Sequence, residues 1–238
     1  MENGINSIIV WGDSILKGVV SGENESKRFE IIENDSLTLA NKSLNLEIIN
    51  KSVFGSFLSK IQRTQLRDIN KGLTVDACII ESGGNDADYD WALVSQDPDA
   101  PHTTRCPLPD FERILLEMVN AARNANITPI LMTAPPLVCP WWFKNICIGQ
   151  NQAAIEKFIG SDIYSLYRRQ ELYSLKIAEC ARNNGVQLVD MRAAFLETPD
   201  YTQLICKDGI HPNLKGYEFM ATVWEKELPK IKKEPLDK

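Results

Sequence analysis

Five short apolar runs, separated by segments of helical periodicity, constrain the fold of this chain more than any other feature of its sequence. The runs lie at residues 7–11, 46–49, 75–80, 127–132 and 186–189. Short runs that are apolar on both faces are typical of strands buried in a parallel sheet. Their alternation with helices predicts a three-layer α/β/α sandwich of about five parallel strands, arranged as in flavodoxin, in a single domain over residues 1–238.

The segments between these runs carry apolar residues three or four positions apart, as the buried face of a helix does. Such stripes lie at residues 57–69, 111–122, 173–180 and 214–228. The stretch 134–161 lacks this period and holds Trp141 and Trp142. Because long irregular segments in compact domains usually serve binding, we predict that it forms a lid or a pocket wall.

Charge and composition argue against several classes of function. A net charge of −6 repels phosphate backbones, so nucleic acid is not an expected partner. No apolar run approaches the ~20 residues of a membrane span. The N-terminus lacks the basic and apolar segments of a signal peptide. We therefore expect a cytoplasmic protein whose six cysteines are thiols, with Cys78 and Cys180 in the core.

Metal binding is poorly supported by the sequence. There is no Cys-x-x-Cys pair, and His102 and His211 are the only histidines. Structural zinc sites usually need four such ligands at short spacings. We predict that the chain has no metal site.

Three short polar motifs directly follow predicted strands, at the edge of the sheet where ligands bind in this class of fold. Ser14, after Gly12-Asp13, is expected near a helix N-terminus, which favours an anion. Gly55 follows the second strand and can offer an unobstructed backbone N–H. Asn85, in a turn after the third strand, can donate its amide to a developing oxyanion. Each motif alone is also a common turn or helix cap.

A fourth motif, Asp208 followed three residues later by His211, precedes the C-terminal helical stripe. Imidazole titrates near neutral pH and suits a general base. A carboxylate one turn away can fix its tautomer and stabilise its charged form. His102 has no local partner at this spacing, although Asp97 and Asp99 are close in sequence.

These motifs occur in the order found in the SGNH, or GDSL, hydrolases, and the chain resembles that family. The matching residues are Gly12-Asp13-Ser14, Gly55, Gly84-Asn85-Asp86 and Asp208-x-x-His211. They extend over residues 12–211, nearly the whole chain. One residue departs from the family pattern, because Ile15 stands where leucine is usual. This change is conservative.

The resemblance implies a role for each matching residue. Ser14 would be the nucleophile, His211 the base and Asp208 its orienting carboxylate. The oxyanion hole would consist of the Ser14 N–H, the Gly55 N–H and the Asn85 side chain. The resemblance also implies acyl transfer through an acyl-enzyme, with no metal or organic cofactor, on a five-stranded α/β/α fold.

The expected substrate is a small-molecule ester with a short acyl or O-acetyl group. The resemblance also covers thioesterases and lysophospholipases, and these remain alternatives. Asp88, Trp91, Trp141 and Trp142 are the candidate pocket residues. Aromatic faces mixed with carboxylates suit a sugar or a small polar ester, but the tryptophan pair could equally cover the core.

A different class of function is also possible, namely a flavodoxin-like module that binds a ligand without catalysis. A flavin phosphate at the end of the first strand would lie beside the negative charge of Asp13, which disfavours it. An inactive family member used only for binding is a third possibility, and the complete set of triad residues argues against it. No feature of the sequence specifies an oligomeric state.

Overall fold

The computed structural model describes residues 4–24 and 27–235, and its centre is a five-stranded parallel sheet. In chain order, the strands and α-helices are β1 (Ser7–Trp11), β2 (Val19–Asn24), β3 (Lys27–Ile31), α1 (Ser36–Leu44), β4 (Glu47–Asn50), α2 (Leu58–Asn70), β5 (Ala77–Glu81), α3 (Trp91–Gln96), α4 (Leu108–Asn124), β6 (Thr128–Met132), α5 (Cys139–Ile146), α6 (Gln152–Phe158), α7 (Tyr164–Asn183), β7 (Gln187–Val189), α8 (Met191–Leu196) and α9 (Leu214–Glu227). Short 3₁₀ helices lie at Tyr201–Leu204 and Leu228–Lys230.

The sheet has the order β4-β1-β5-β6-β7, and every neighbouring pair is parallel. These five strands are the five apolar runs, so the predicted three-layer sandwich is confirmed. The strand order reverses beside β1, which places a crevice at the carboxyl ends of β1 and β5. In open α/β sheets that crevice is where ligands bind.

Alternating side chains of β1 pack on opposite faces of the sheet, because successive residues of a strand point opposite ways. Ile8 and Val10 join a core with Tyr217 and Trp224 of α9. Ile9 and Trp11 join the other core, which α2, α4 and α7 cover. The sheet is therefore buried on both sides, as the apolar runs predicted.

The expectation that Ser14 lies near the N-terminus of a helix is wrong, because the next α-helix in the chain, α1, begins only at Ser36. A single helical turn follows Ser14, in which Lys17 N donates to Asp13 O at 3.1 Å. The turn ends at Gly18, which has a φ of +77°, a conformation that other residues rarely adopt. From there the chain enters the antiparallel ribbon of β2 and β3, which the sequence analysis did not predict.

The stretch 134–161 is not irregular, because it contains α5 and α6. Pro140 lies in the first turn of α5, where a missing N–H leaves no hydrogen bond unmade. Asn151 caps α6 by accepting from Ala154 N. The two helices join a third apolar cluster with Tyr89 and Trp91, beside the carboxyl end of the sheet.

All six cysteines lie in the described part of the chain, and each is a free thiol. Cys78 is buried as predicted, but Cys180 is only half-buried. Cys106, Cys139 and Cys206 are buried as well. No helix within residues 4–24 and 27–235 combines the length and the apolar character that crossing a membrane requires.

Candidate active site

Ser14, His211 and Asp208 form a continuous hydrogen-bonded chain beyond the end of β1. The His211 Nε2 atom lies 2.9 Å from Ser14 Oγ, and His211 Nδ1 lies 2.7 Å from Asp208 Oδ2. All three residues are at most 6% exposed. The sequence placed Ser14 and His211 197 residues apart, and the fold brings them into direct contact.

The turn that carries Asp208 and His211 is held by its own backbone. Asp208 Oδ1 accepts from the backbone N–H groups of Ile210 and His211, at 3.0 and 3.1 Å. Burial raises the pKa of Asp208, but the hydrogen bonds from His211 and from these N–H groups outweigh it and leave the pKa below its usual value. Asp208 is therefore an ionised partner for the imidazole.

Gly209 closes this turn against the start of α5. Its φ is +86°, and its carbonyl oxygen accepts from Val138 N at 2.7 Å. A Cβ at this position would collide with the backbone nitrogen of Trp142 and would come within 2.8 Å of Val138 O. Only glycine fits, so the Asp208 turn and α5 are packed backbone against backbone.

The backbone N–H groups of Ser14 and Gly55 are available to a ligand. Within the described residues, neither Ser14 N nor Gly55 N donates a hydrogen bond. Gly55 has a φ of +68° and lies in the turn before α2, with open space where a Cβ would be. A buried or half-buried N–H usually has a partner, so these two donors fit the predicted oxyanion hole.

Both amide hydrogens of Asn85 already have acceptors within the chain. Its Nδ2 donates to Asp13 Oδ2 and to Ser56 O, each at 2.9 Å. If the amide were flipped, its oxygen would lie against two other acceptor oxygens, Asp13 Oδ2 and Ser56 O. The hydrogen-bond network therefore determines the orientation of the amide. As an oxyanion donor, Asn85 has to share one of these hydrogens.

Next to the Asp13-Ser14 turn lies a buried carboxyl pair that the sequence analysis did not identify. Glu81 ends β5 with no exposed surface, and its Oε2 accepts from Asp13 N at 3.0 Å. Burial and the charge of Asp13 raise the pKa of Glu81 well above its usual value. Glu81 therefore keeps its proton beside the carboxyl group of Asp13. Asp13 in turn accepts from Ile15 N and Asn85.

Two aromatic rings, also missed from the sequence, cover the imidazole. The ring centroids of Phe29 and Phe54 lie 5.4 and 6.2 Å from that of His211. Phe29 belongs to the ribbon strand β3, and Phe54 to the loop after β4. The rings are 5.1 Å apart and shield the His211 and Ser14 pair from bulk water on one side.

On the other side, a pocket leads from Ser14 to a wall made by α7. It contains about 640 Å³ of space, a volume that includes its open mouth. Its lining includes the predicted Asp88, Trp91 and Trp142, together with Arg169 and Gln170, which were not predicted.

Asp88 and Trp91 form one polar corner of this pocket. Trp91 Nε1 donates to Asp88 Oδ1 at 2.6 Å. Burial raises the pKa of Asp88 to about 6, against the hydrogen bond from Trp91 and the charges of Arg105 and Arg169. Asp88 therefore titrates closer to neutral pH than an ordinary aspartate does.

Two further residues singled out in the sequence lie outside the pocket. Trp141 packs against the core on the α9 side of the sheet, so the structural alternative holds for this member of the tryptophan pair. His102 Nε2 lies 2.7 Å from Asp97 O, and its ring packs on Phe158 of α6. Residues 4–24 and 27–235 contain no cluster of three or more His, Cys, Asp or Glu side chains suited to a metal ion.

Comparison with known proteins points to one family. The sequence profile of the GDSL-like lipase/acylhydrolase family matches residues 10–219, which include all four motifs. No curated protein matches the chain in sequence.

The solved structures that match share the fold at low sequence identity. A lipase/acylhydrolase from Enterococcus faecalis is 17% identical, with a TM-score of 0.64 over 97% of this chain and 100% of that chain. A catalytic mutant of Axe2, an acetylxylan esterase from Geobacillus stearothermophilus, is 18% identical, with a TM-score of 0.65 over 94% of each chain. Other catalytic mutants of that esterase, altered at an aspartate and at a histidine, match over the same shares.

Proposed function

Because this chain belongs to the GDSL-like lipase/acylhydrolase family of ester-hydrolysing enzymes, we propose that it is a serine esterase that cleaves short-acyl, in particular O-acetyl, esters. The observation that carries this proposal is the buried hydrogen-bonded chain from Ser14 through His211 to Asp208. Nucleophile, base and orienting carboxylate lie in contact without any rearrangement, as acyl transfer by a triad requires.

The first step is attack of Ser14 Oγ on the ester carbonyl carbon. The hydroxyl proton passes to His211 Nε2, and Asp208 stabilises the imidazolium that forms. The C–O bond to the alcohol then breaks, and the alcohol leaves with the proton from His211. Water, deprotonated by His211, attacks the acyl-enzyme and releases the acid, which regenerates Ser14.

The charge that develops on the carbonyl oxygen is stabilised by the free N–H groups of Ser14 and Gly55. Asn85 contributes a third donor by shifting one amide hydrogen from its present acceptor toward the oxyanion. Preorganised donors of this kind are the largest single term in many acyl-transfer reactions. The covering rings of Phe29 and Phe54 exclude water and strengthen these interactions.

The preference for a short acyl group is supported by two features. The similar Axe2 is an acetylxylan esterase by name, and the wall of this pocket is polar as well as aromatic, with Asp88, Arg169 and Trp142 in its lining. A long acyl chain would leave these polar groups desolvated and unpaired. Thioesters and lysophospholipids are therefore the less favoured substrates.

A panel of 4-nitrophenyl esters from acetate to decanoate, together with acetylated sugars, tests the proposal. We expect the acetate to be turned over fastest, and Ser14→Ala to reduce turnover by about 10⁶-fold, as loss of a triad nucleophile does elsewhere. Similar rates for the Ser14→Ala protein and the wild type would refute the assignment.

Comparing His211→Gln with His102→Gln tests the choice of base. Only the first variant should lose activity, since His102 lies outside the pocket. An inactive His102 variant beside an active His211 variant would place the base in the loop of residues 98–107.

A further inference from the structure

The pocket wall made by α7 presents a guanidinium that makes no salt bridge. Arg169 is half-buried, yet within the described residues no carboxylate oxygen lies within 4.0 Å of its nitrogens and none of its N–H groups has a hydrogen-bond acceptor. Its Nε is fully buried and unpartnered. Only the N–H groups of its two terminal nitrogens can therefore reach a ligand in the pocket.

Other arginines of this chain that are withdrawn from solvent are paired. Arg192 binds Glu171 at 2.6 Å, and Arg123 binds Glu234 at 2.8 Å. Arg169 instead has its Cζ 4.4 Å from the ring centroid of Tyr89. A cation over an aromatic face gains part of what a salt bridge would give, but it leaves all five donors unused.

Asp88 lines the same pocket but forms no salt bridge with Arg169. The charges of both Arg105 and Arg169 act on its carboxyl group. One oxygen of Asp88 is moreover occupied by Trp91.

We propose that the substrate carries a carboxylate or a similar planar oxyanion in addition to its ester group, and that Arg169 binds this anion. The inference rests on the proposed esterase function, because the pocket that contains Arg169 also contains Ser14. A planar fork of N–H donors matches the two oxygens of a carboxylate. The anion completes the pairing that the chain leaves open.

The test compares charged and neutral substrates that differ only in the anion. In one arm, the carboxylate is on the acyl part: 4-nitrophenyl hydrogen adipate against its methyl ester, followed by release of 4-nitrophenol. In the other arm, it is on the alcohol part: 4-acetoxybenzoate against 4-acetoxybenzamide. The readout is the ratio of kcat/KM for the charged over the neutral substrate, which is independent of the amount of folded protein.

In the wild type, we expect this ratio to exceed one in the arm that matches the natural substrate. Arg169→Gln should lower the ratio about 10- to 100-fold through KM, the usual effect of a charge-assisted hydrogen bond. Arg169→Lys should lower it less, since the charge remains while the fork is lost. The matched control is Arg168→Gln, because Arg168 is exposed and paired with Asp162, and it should leave the ratio unchanged.

A wild-type ratio of one or less in both arms, or a ratio that Arg169→Gln does not change, would overturn the proposal. Binding by the Ser14→Ala protein separates this inference from the esterase function. Calorimetric titration with adipate and with 4-hydroxybenzoate should show binding that the added Arg169→Gln change removes. Binding without turnover in the wild type would refute the esterase and keep the anion site, whereas turnover of neutral esters without anion binding would do the reverse.

Discussion

The candidate triad and the substrate pocket lie side by side but use polar groups in opposite ways. In the triad, His211 and Asp208 have partners for their polar atoms within the chain. In the pocket, Arg169 has no acceptor at all within the described residues. The difference teaches that the candidate triad is fully hydrogen-bonded without a ligand, whereas the proposed anion site needs a ligand to supply its acceptor. Preorganisation is useful where charge develops, and open donors are useful where a ligand supplies the acceptor.

The largest effect on activity is expected from a substitution in the candidate triad, at Asp208. Asp208→Asn keeps the shape of the turn but removes the charge that stabilises the imidazolium and permits the wrong tautomer. We expect kcat to fall by about 10⁴-fold, the precedent in another triad. Single-turnover kinetics with 4-nitrophenyl acetate measure this loss. A decrease of less than tenfold would mean that Asp208 only shapes the turn.

The next effect concerns Asn85, which combines features of the triad and of the pocket. Its amide hydrogens already have acceptors within the chain, but one of them also has to bind the oxyanion. Asn85→Ala should lower kcat by about 10²- to 10³-fold, the usual effect of losing one oxyanion donor. KM should change little, because the donor acts in the transition state. A rate within threefold of wild type, with a lowered melting temperature, would show that Asn85 only ties Asp13 to Ser56.

On the pocket side, adjacent tryptophans provide a matched pair. Trp142→Ala should raise KM about tenfold for acetylated sugars with little change in kcat, since this ring lines the pocket. Trp141→Ala should leave KM unchanged and lower the free energy of unfolding by up to about 3 kcal/mol, since this ring packs on the core. Steady-state kinetics and urea titrations of both variants measure these effects. Interchanged outcomes would contradict the assignment of the two rings.

The smallest effect is expected from Glu81, a buried group next to the candidate triad. Its pKa is higher in the folded than in the unfolded chain, so its stabilising contribution is present at low pH and is lost as pH rises from about 4.5 toward the folded value. Glu81→Gln retains a donor and an acceptor but cannot lose a proton. Its free energy of unfolding should therefore decline less with rising pH, by at most about 1.4 kcal/mol per pH unit. Equal slopes for the two proteins in urea titrations from pH 5 to 8 would contradict a protonated Glu81.

Much of the fold was predictable because burial on both faces leaves a direct pattern in the sequence. The five runs 7–11, 46–49, 75–80, 127–132 and 186–189 all form strands of the sheet. The ribbon of β2 and β3 left no such pattern, because it lies outside the main sheet and its residues are largely polar. The helix α5 was missed because Pro140 is a helix breaker in an interior position but not in a first turn.

The site divides in the same way. Ser14, Gly55, Asn85, Asp208 and His211 were predicted because short motifs mark them, and the structure brings them together, although their roles remain predictions. Arg169 and Glu81 reach the site only through tertiary contacts. One signal was nevertheless present, since Arg169 and Gln170 lie three and four residues after the buried Leu166, where an amphipathic helix would carry apolar side chains.

The contact between Gly209 and α5 limits how an enzyme of this kind can diverge. The turn that bears Asp208 and His211 rests on the first residues of the helix that bears Trp142, with no side chain between them to absorb a shift. A mutation that moved α5 to admit a different substrate would move His211 as well. New specificities are therefore more easily acquired on α3 and α7, where Trp91 and Arg169 can be replaced one at a time. Among relatives with the same chemistry, we expect the start of α5 and the Asp208 turn to be conserved together, while the residues of the opposite pocket wall vary.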